Sequence, residues 1–244
     1  YNLQKKHYVN SNEELLVVFE ELSDKVRQVA SAEDELHKKK EQIEVTSKKL
    51  DDVAEKISKA RTSAIPKLIK ALEFLLSDLG MGNARFSMKA IPTSSYFANG
   101  KDELEFLFSA NKGGNFGALK KVASGGELSR IMLSVKKVLS ENMQLPTIIF
   151  DEIDTGVSGE VSNKIAAIMQ QMSVNMQVIA ITHLPQIAAK GSNHYKVYKE
   201  EIHGITATNL KELSSEERIF EIAEMLSGKE ISDTALTHAK ELLN

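Results

Sequence analysis

Apolar residues recur every seven positions along the first part of the chain, at Leu22, Val29, Leu36, Ile43, Leu50 and Ile57. That spacing keeps one face of a helix apolar over successive heptads. The companion positions are mixed: Val26, Ala32, Val53 and Ala54 are interleaved with Glu33, Lys39 and Lys40, so the seam needs a partner helix. A solvated helix lying on a globular core is the competing reading. Gly80 is the first glycine and Pro66 the only earlier proline, so the usual helix breakers are nearly absent from this stretch. Ser11 followed by Glu14 fits a capping box at a helix start, and Lys5 to Asn10 reads as a break before it. About fifty residues at roughly 1.5 Å each exceed the width of a small domain, which favours a coiled-coil arm. Ser63 and Pro66 predict the start of a second helix through Leu68, Leu72, Leu75 and Leu79, ending at Gly80.

Beyond Gly82 the period changes. Alternation over Arg85 to Ile91, the Asn99-Gly100 turn and Leu104 to Phe108 predict an antiparallel hairpin with an irregular tip. A glycine-rich loop follows, then a helix from about Gly126 to Asn142, a strand Thr147 to Phe150, a helix from about Gly159 to Met172 and a strand Gln177 to Thr182. Strand, helix, strand in that order predicts a right-handed parallel crossover. A short helix after His183, a hairpin of Tyr195 to Lys199 and Ile205 to Leu210 turning at His203-Gly204, and helices Ser215 to Leu226 and Ser232 to Leu243 complete the chain. The expected organisation is an arm over 1–80 and an α/β lobe over 81–244.

Composition narrows the class. The 244 residues are 42% hydrophobic and 27% charged, and the apolar runs are far shorter than the roughly 20 residues of a bilayer span, so a cytoplasmic, non-membrane protein is expected. There is no cysteine, and the six histidines are scattered, which disfavours disulfides and a structural metal. A net charge of −3 lacks the basic excess that would signal nucleic-acid binding by itself. The chain opens at Tyr1 rather than Met, which suggests a preceding segment.

Three places carry candidate chemistry. Ile148-Ile149-Phe150 leads into Asp151-Glu152, putting adjacent carboxylates at the carboxyl end of a buried parallel strand, where ligands of open α/β sheets bind. In a nucleotide hydrolase the first carboxylate supports Mg²⁺ and the second takes a proton from an attacking water; alone, such a pair also serves as a helix cap or solvated loop. The next strand ends on Thr182-His183, so an imidazole able to bond a γ-phosphate or a water stands across the sheet. A lone strand-end histidine is more often structural. Ser124-Gly125-Gly126-Glu127 precedes a helix, clustering amides and a hydroxyl at its positive end, although serine and glycine also make ordinary caps.

Taken in order, these strings resemble the ABC-class signature loop (Ala123 to Glu127), Walker B strand (Ile148 to Glu152) and histidine switch (Ile181 to His183). The longer runs Ser124 to Arg130, Asp151 to Gly159 and Thr182 to Ala188, with Ile222 to Gly228 and Gly80 to Phe86, resemble the RecN-type DNA repair proteins of the SMC-like branch over most of the chain. The resemblance implies an α/β fold: the C-terminal lobe of an ABC/SMC-type ATPase head, with a parallel-sheet P-loop-like core and β-hairpins, preceded by a coiled-coil arm. It implies that Ser124, Gly125, Gly126 and Glu127 serve the ATP of a second head, and that Asp154 belongs to a D-loop, Asp154 to Gly159, at the head interface. It further implies that Asp151 supports Mg²⁺, Glu152 polarises water and His183 senses the γ-phosphate.

One departure matters. Gly113 to Lys120 has glycines and a lysine in the wrong order for G-x-x-x-x-G-K-[ST], so the Walker A cradle is missing from this segment. In the family it lies earlier in the full polypeptide, before the outgoing arm. The implied partners are therefore that N-terminal lobe and outgoing arm, a second head and, through the family, DNA on the nucleoid. ATP and Mg²⁺ belong to the complete head, and the chain alone is expected to bind and hydrolyse ATP poorly. Another SMC-like or transporter head is the competing enzyme reading, disfavoured for a transporter by the charged arm preceding the signature. A coiled-coil scaffold is the non-enzymatic one, disfavoured by the carboxylate and histidine sites.

Overall fold

The computed structural model describes residues 1–143, 145–151, 153–154, 156–157, 159–202 and 205–244. They form two compact units, Tyr1–Ala60 with Pro92–Asp102, and Arg61–Ile91 with Glu103–Asn244.

The chain enters through a short helix, α1 (Asn2–His7), that ends on Tyr8 in the left-handed region at φ 55°. Helix α2 (Asn12–Asp78) starts where Ser11 and Glu14 predict: the Glu14 amide donates to Ser11 Oγ at 3.1 Å and the Asn10 amide to Glu14 Oε2 at 2.7 Å. The expectation of two helices is corrected, because α2 runs unbroken for 67 residues, about 100 Å of rise, with Pro66 inside it. Proline cannot donate to the carbonyl one turn back. Pro66 is exposed, a position open to water, while Leu72 and Leu76 beyond it are buried; their packing outweighs the local helix-breaking preference. Leu22, Val29, Leu36, Ile43 and Leu50 are 46–66% exposed, an uncovered heptad stripe.

Strands β1 (Arg85–Phe97) and β2 (Gly100–Ser109) are longer and more regular than expected, turning at residues 98–99 into Gly100 at φ 125°. The expected irregular tip is thus corrected. Most tip residues are exposed, so neither face imposes an apolar period that sequence could display. Within the first unit, Asp51 Oδ1 accepts hydrogen bonds from Tyr96 Oη at 2.7 Å and Lys101 Nζ at 2.9 Å.

In the second unit, Phe86 stacks on Phe106 and tilts against Phe108, both at 5.2 Å between centroids, in a cluster with Leu72, Leu76 and Ile131. The chain then folds back so that Phe108 and Gly117 exchange backbone hydrogen bonds of 2.9 and 3.0 Å. One helical turn, α3 (Leu119–Val122), leads to α4 (Gly125–Asn142). Strand β3 (Thr147–Asp151), helix α5 (Gly159–Ser173) and strand β4 (Gln177–Ile181) follow, the strands parallel as their order predicts, in register from Thr147 opposite Gln177 to Asp151 opposite Ile181. Phe150, Ile165, Met169, Met172, Leu79 and Leu133 form the core beneath them. Helix α6 (Pro185–Lys190) and strands β5 (Tyr195–Ile202) and β6 (Ile205–Glu212), an antiparallel pair, come next. The turn expected at His203-Gly204 lies outside the described residues. Helices α7 (Ser215–Ser227) and α8 (Asp233–Leu243) pack with α6 through Ile222, Ala223, Ala189 and Ala239. Among the described residues no helix is long and apolar enough to cross a membrane.

Candidate functional site

Parallel pairing places the candidate residues. Asp151, the last residue of β3, lies opposite Ile181, the last of β4, and His183 follows two positions on; adjacent strands run roughly 4.8 Å apart. Both Asp151 and His183 are exposed, consistent with a carboxylate and an imidazole presented to a ligand at the carboxyl ends of the strands. Glu152, read from sequence as the residue that polarises water, lies outside the described residues, as do Thr155 and Ser158 of the expected D-loop.

Between the strands lies Asp154, whose side chain is completely buried. Its Oδ2 accepts a hydrogen bond from Thr182 Oγ1 and lies 3.6 Å from His183 Nδ1. That separation exceeds a hydrogen bond and suits an ion pair when the imidazole is protonated. Thr182 Oγ1 in turn accepts from the Leu184 amide at 3.0 Å, so a three-member chain fixes the turn on which His183 sits. Asp154 Oδ1 has no hydrogen-bond partner among the described residues. In this arrangement Asp154 faces inward, toward the turn that carries His183. No local pattern gives Thr182 a role of its own, because its tie to Asp154 spans 28 positions.

The serine-glycine loop is open. Ser124 and Gly125 are exposed, and a side chain built on Gly125 would meet nothing within 4 Å. The Ser124 amide and hydroxyl both donate to Glu127 Oε2 at 2.8 Å. Those two bonds, the backbone one first, hold the Glu127 carboxyl below its ordinary range. Glu127 therefore braces the loop from within helix α4. Arg130, one turn further, donates from Nε to Gly126 O at 3.2 Å.

The sheet is small. β3 and β4 pair only with each other among the described residues, and Ile149, Ile179 and Ile181 are 62%, 42% and 54% exposed on one face. The expectation of a buried strand is met on one face only: Phe150 packs into the core while its neighbours Ile149 and Asp151 are exposed. Two parallel strands with one bare apolar face are too few to be self-sufficient.

A resident metal cage is not formed, since no group of three His, Asp or Glu side chains converges among the described residues. Asp151 alone fits the way Mg²⁺ is held with a nucleotide, through one or two carboxylates plus phosphate oxygens and water.

No family model matches this chain. It is 35% identical over 254 residues to the DNA repair protein RecN of Bacillus subtilis, an alignment spanning 98% of this chain and 44% of that protein. The RecN of Vibrio cholerae is 32% identical, covering 99% of this chain and 44% of the relative, and that of Rickettsia conorii 41% identical, covering 84% and 37%. The chain thus spans about two fifths of the length of the curated relatives it matches. Among solved structures, an Smc head domain with a coiled coil and joint from Pyrococcus yayanosii superposes with a TM-score of 0.60 at 17% identity, over 90% of this chain and 40% of that one. At that identity the likeness shows the fold: an SMC-type head lobe with its arm helix.

Proposed function

Because this chain is of RecN type over almost all of its length, we propose that it is the C-terminal arm and head lobe of an SMC-like ATPase acting in DNA repair. It would supply the signature loop, the Walker B strand, the D-loop and the switch histidine to a head completed by an N-terminal Walker A lobe of the same full-length polypeptide. The observation that carries this reading is the in-register parallel pairing that brings Asp151 and the Thr182-His183 turn to one end of the sheet, braced by Asp154.

The bare face of Ile149, Ile179 and Ile181 and the strand edges unpaired among the described residues support an N-terminal lobe as the immediate partner, and the exposed heptad stripe on α2 supports an outgoing arm helix. Asp151 would support Mg²⁺ on the bound nucleotide, the group that draws charge from the transferring phosphate. Glu152 would accept a proton from the attacking water, and His183, held by the Asp154–Thr182 tie, would sense the γ-phosphate. The Gly125 and Gly126 amides, with the Ser124 hydroxyl once it turns from Glu127 Oε2, would engage the γ-phosphate of ATP held by a second head. Glu127 serves that site by bracing, since a carboxylate touching the phosphate would repel it. Within the segment Asp154 to Gly159 the exposed Gly156 and Gly159 would lie at the head interface, while Asp154 braces from inside. Loss of the γ-phosphate on hydrolysis would remove the anion that joins the two heads. The protein would act in the cytoplasm, on nucleoid DNA.

Replacing Glu152→Gln in the full-length protein tests this directly. ATP binding and ATP-driven head association should persist while turnover falls on the order of 100-fold or more; undiminished turnover removes Glu152 as the base. Without the N-terminal lobe, the present chain should show negligible ATP hydrolysis.

A further inference from the structure

Arg130 ties two places that nothing in the function above connects. Its Nε donates to Gly126 O, inside the serine-glycine loop, at 3.2 Å, and its Nη1 donates to Leu79 O, at the end of α2, at 3.1 Å. The second contact spans 51 positions and joins the base of the arm helix to the first turn of α4. The acceptor is a helix-end carbonyl, with no amide one turn on to serve it and half a negative charge on the helix terminus, so a guanidinium satisfies it better than any neutral donor. Arg130 is partly buried, which limits competition from water.

The surroundings make this contact stiff. The helix ends because Gly80 takes φ +79°, with its amide bonded to Ser77 O at 3.1 Å and the Met81 amide to Leu76 O at 2.8 Å. A side chain on Gly80 would come within 3.4 Å of Val161 and 3.8 Å of Arg130 Nη1, so α2, α4 and α5 close on one another there. Leu79 itself is fully buried in the core that underlies β3. On the loop side, Glu127 holds Ser124 while Arg130 holds Gly126, so the loop cannot shift toward an incoming phosphate without pulling on one of these two side chains.

We infer that Arg130 is the positioning residue through which occupancy of the Ser124-Gly125-Gly126 loop is communicated to the base of the arm helix. Its planar fork spans two carbonyls at once; a lysine ammonium can serve one of them. When the loop shifts toward a phosphate, the peptide joining Gly126 to Glu127, which carries the Gly126 carbonyl, moves with it, and the fork carries that displacement to Leu79 O. Linkage makes the effect reciprocal: displacing the end of α2 changes the affinity of the loop for its anion. The two guanidinium nitrogens that bond Gly126 O and Leu79 O give Arg130 a positioning role. This inference rests on the signature-loop reading above.

The test is hydrogen exchange on the full-length protein, with and without ATP, in the Glu152→Gln background to prevent turnover. Two regions are followed: amides 124–128 of the loop and amides 79–82 at the end of α2. In the otherwise unchanged protein, ATP should alter protection in both. With Arg130→Met or Arg130→Lys, the loop response should remain while the α2-end response is lost, and ATP-driven head association should weaken about fivefold or more, within the range of ordinary coupling energies. A response at 79–82 that survives both substitutions overturns the inference and leaves the loop assignment standing. No response in the loop of the unsubstituted protein overturns the signature assignment and this inference together. Native-like far-ultraviolet dichroism and ATP-independent exchange in Arg130→Lys separate lost communication from lost folding.

Discussion

Removing the Thr182 hydroxyl and the Asp154 carboxylate, singly and together, measures how firmly the His183 turn is held. Thr182 Oγ1 donates to the buried Asp154 carboxylate and accepts from the Leu184 amide at 3.0 Å. Thr182→Val deletes a hydrogen bond to a charged acceptor, worth about 1.5–3 kcal/mol, and strips the Leu184 amide of its acceptor; a loss of about 3 kcal/mol in folding stability is expected. Asp154→Ala leaves the Thr182 hydroxyl without its acceptor but also removes a buried carboxylate whose Oδ1 has no partner among the described residues. The two effects oppose, so about 2 kcal/mol is expected. In the double variant neither group remains to miss the other, and the combined loss should be about 3 kcal/mol rather than the sum, a coupling of about 2 kcal/mol. Equilibrium urea unfolding reads each step, and in a chain of this size each kcal/mol corresponds to about 2–4 °C in Tm. Additivity within about 0.5 kcal/mol would refute the claim that Asp154 holds the histidine turn through Thr182.

Two further outcomes follow from local chemistry. Pro66→Ala, at an exposed position inside α2, restores an amide to the helix interior and should stabilise the chain by up to about 3 kcal/mol; a destabilised variant by thermal unfolding would mean that α2 depends on the proline. Burial first, and Arg218 second, push the His194 imidazole below its ordinary value of 6.5, with Lys196 adding to this and Glu221 opposing it. A depressed folded pKa means the unfolded chain takes up the proton first, so the stability is complete above about pH 6.5 and is lost as pH falls through the lower folded value. His194→Gln should flatten that decline in denaturation midpoints between pH 7 and 5, and an unchanged pH profile would refute the assignment.

What could be read from sequence divides by distance along the chain. The placement of Asp151 and His183 at neighbouring strand ends was legible because each follows a short apolar run, and two such runs separated by one helix have few alternatives to parallel pairing. Ser11 with Glu14 and the serine-glycine start of α4 were legible because capping is local. Pro66 misled for the same reason: its preference acts over one turn, whereas Leu72 and Leu76, which keep the helix going, act through packing on Phe86 and Phe108. The contacts of Asp154 to Thr182 and Arg130 to Leu79 span 28 and 51 positions, and no spacing rule reaches that far. The exposed face of Ile149, Ile179 and Ile181 is the most instructive difference. The first of these apolar runs reads as a buried strand, and the structure covers one face of it. An apolar surface of this kind costs about 25 cal/mol for each Å² left in water, which a marginally stable fold can ill sustain in isolation. The exposed isoleucines are therefore the part of the strand pattern that packing among the described residues leaves unused, and on the proposed reading they are the surface that the rest of a head would cover.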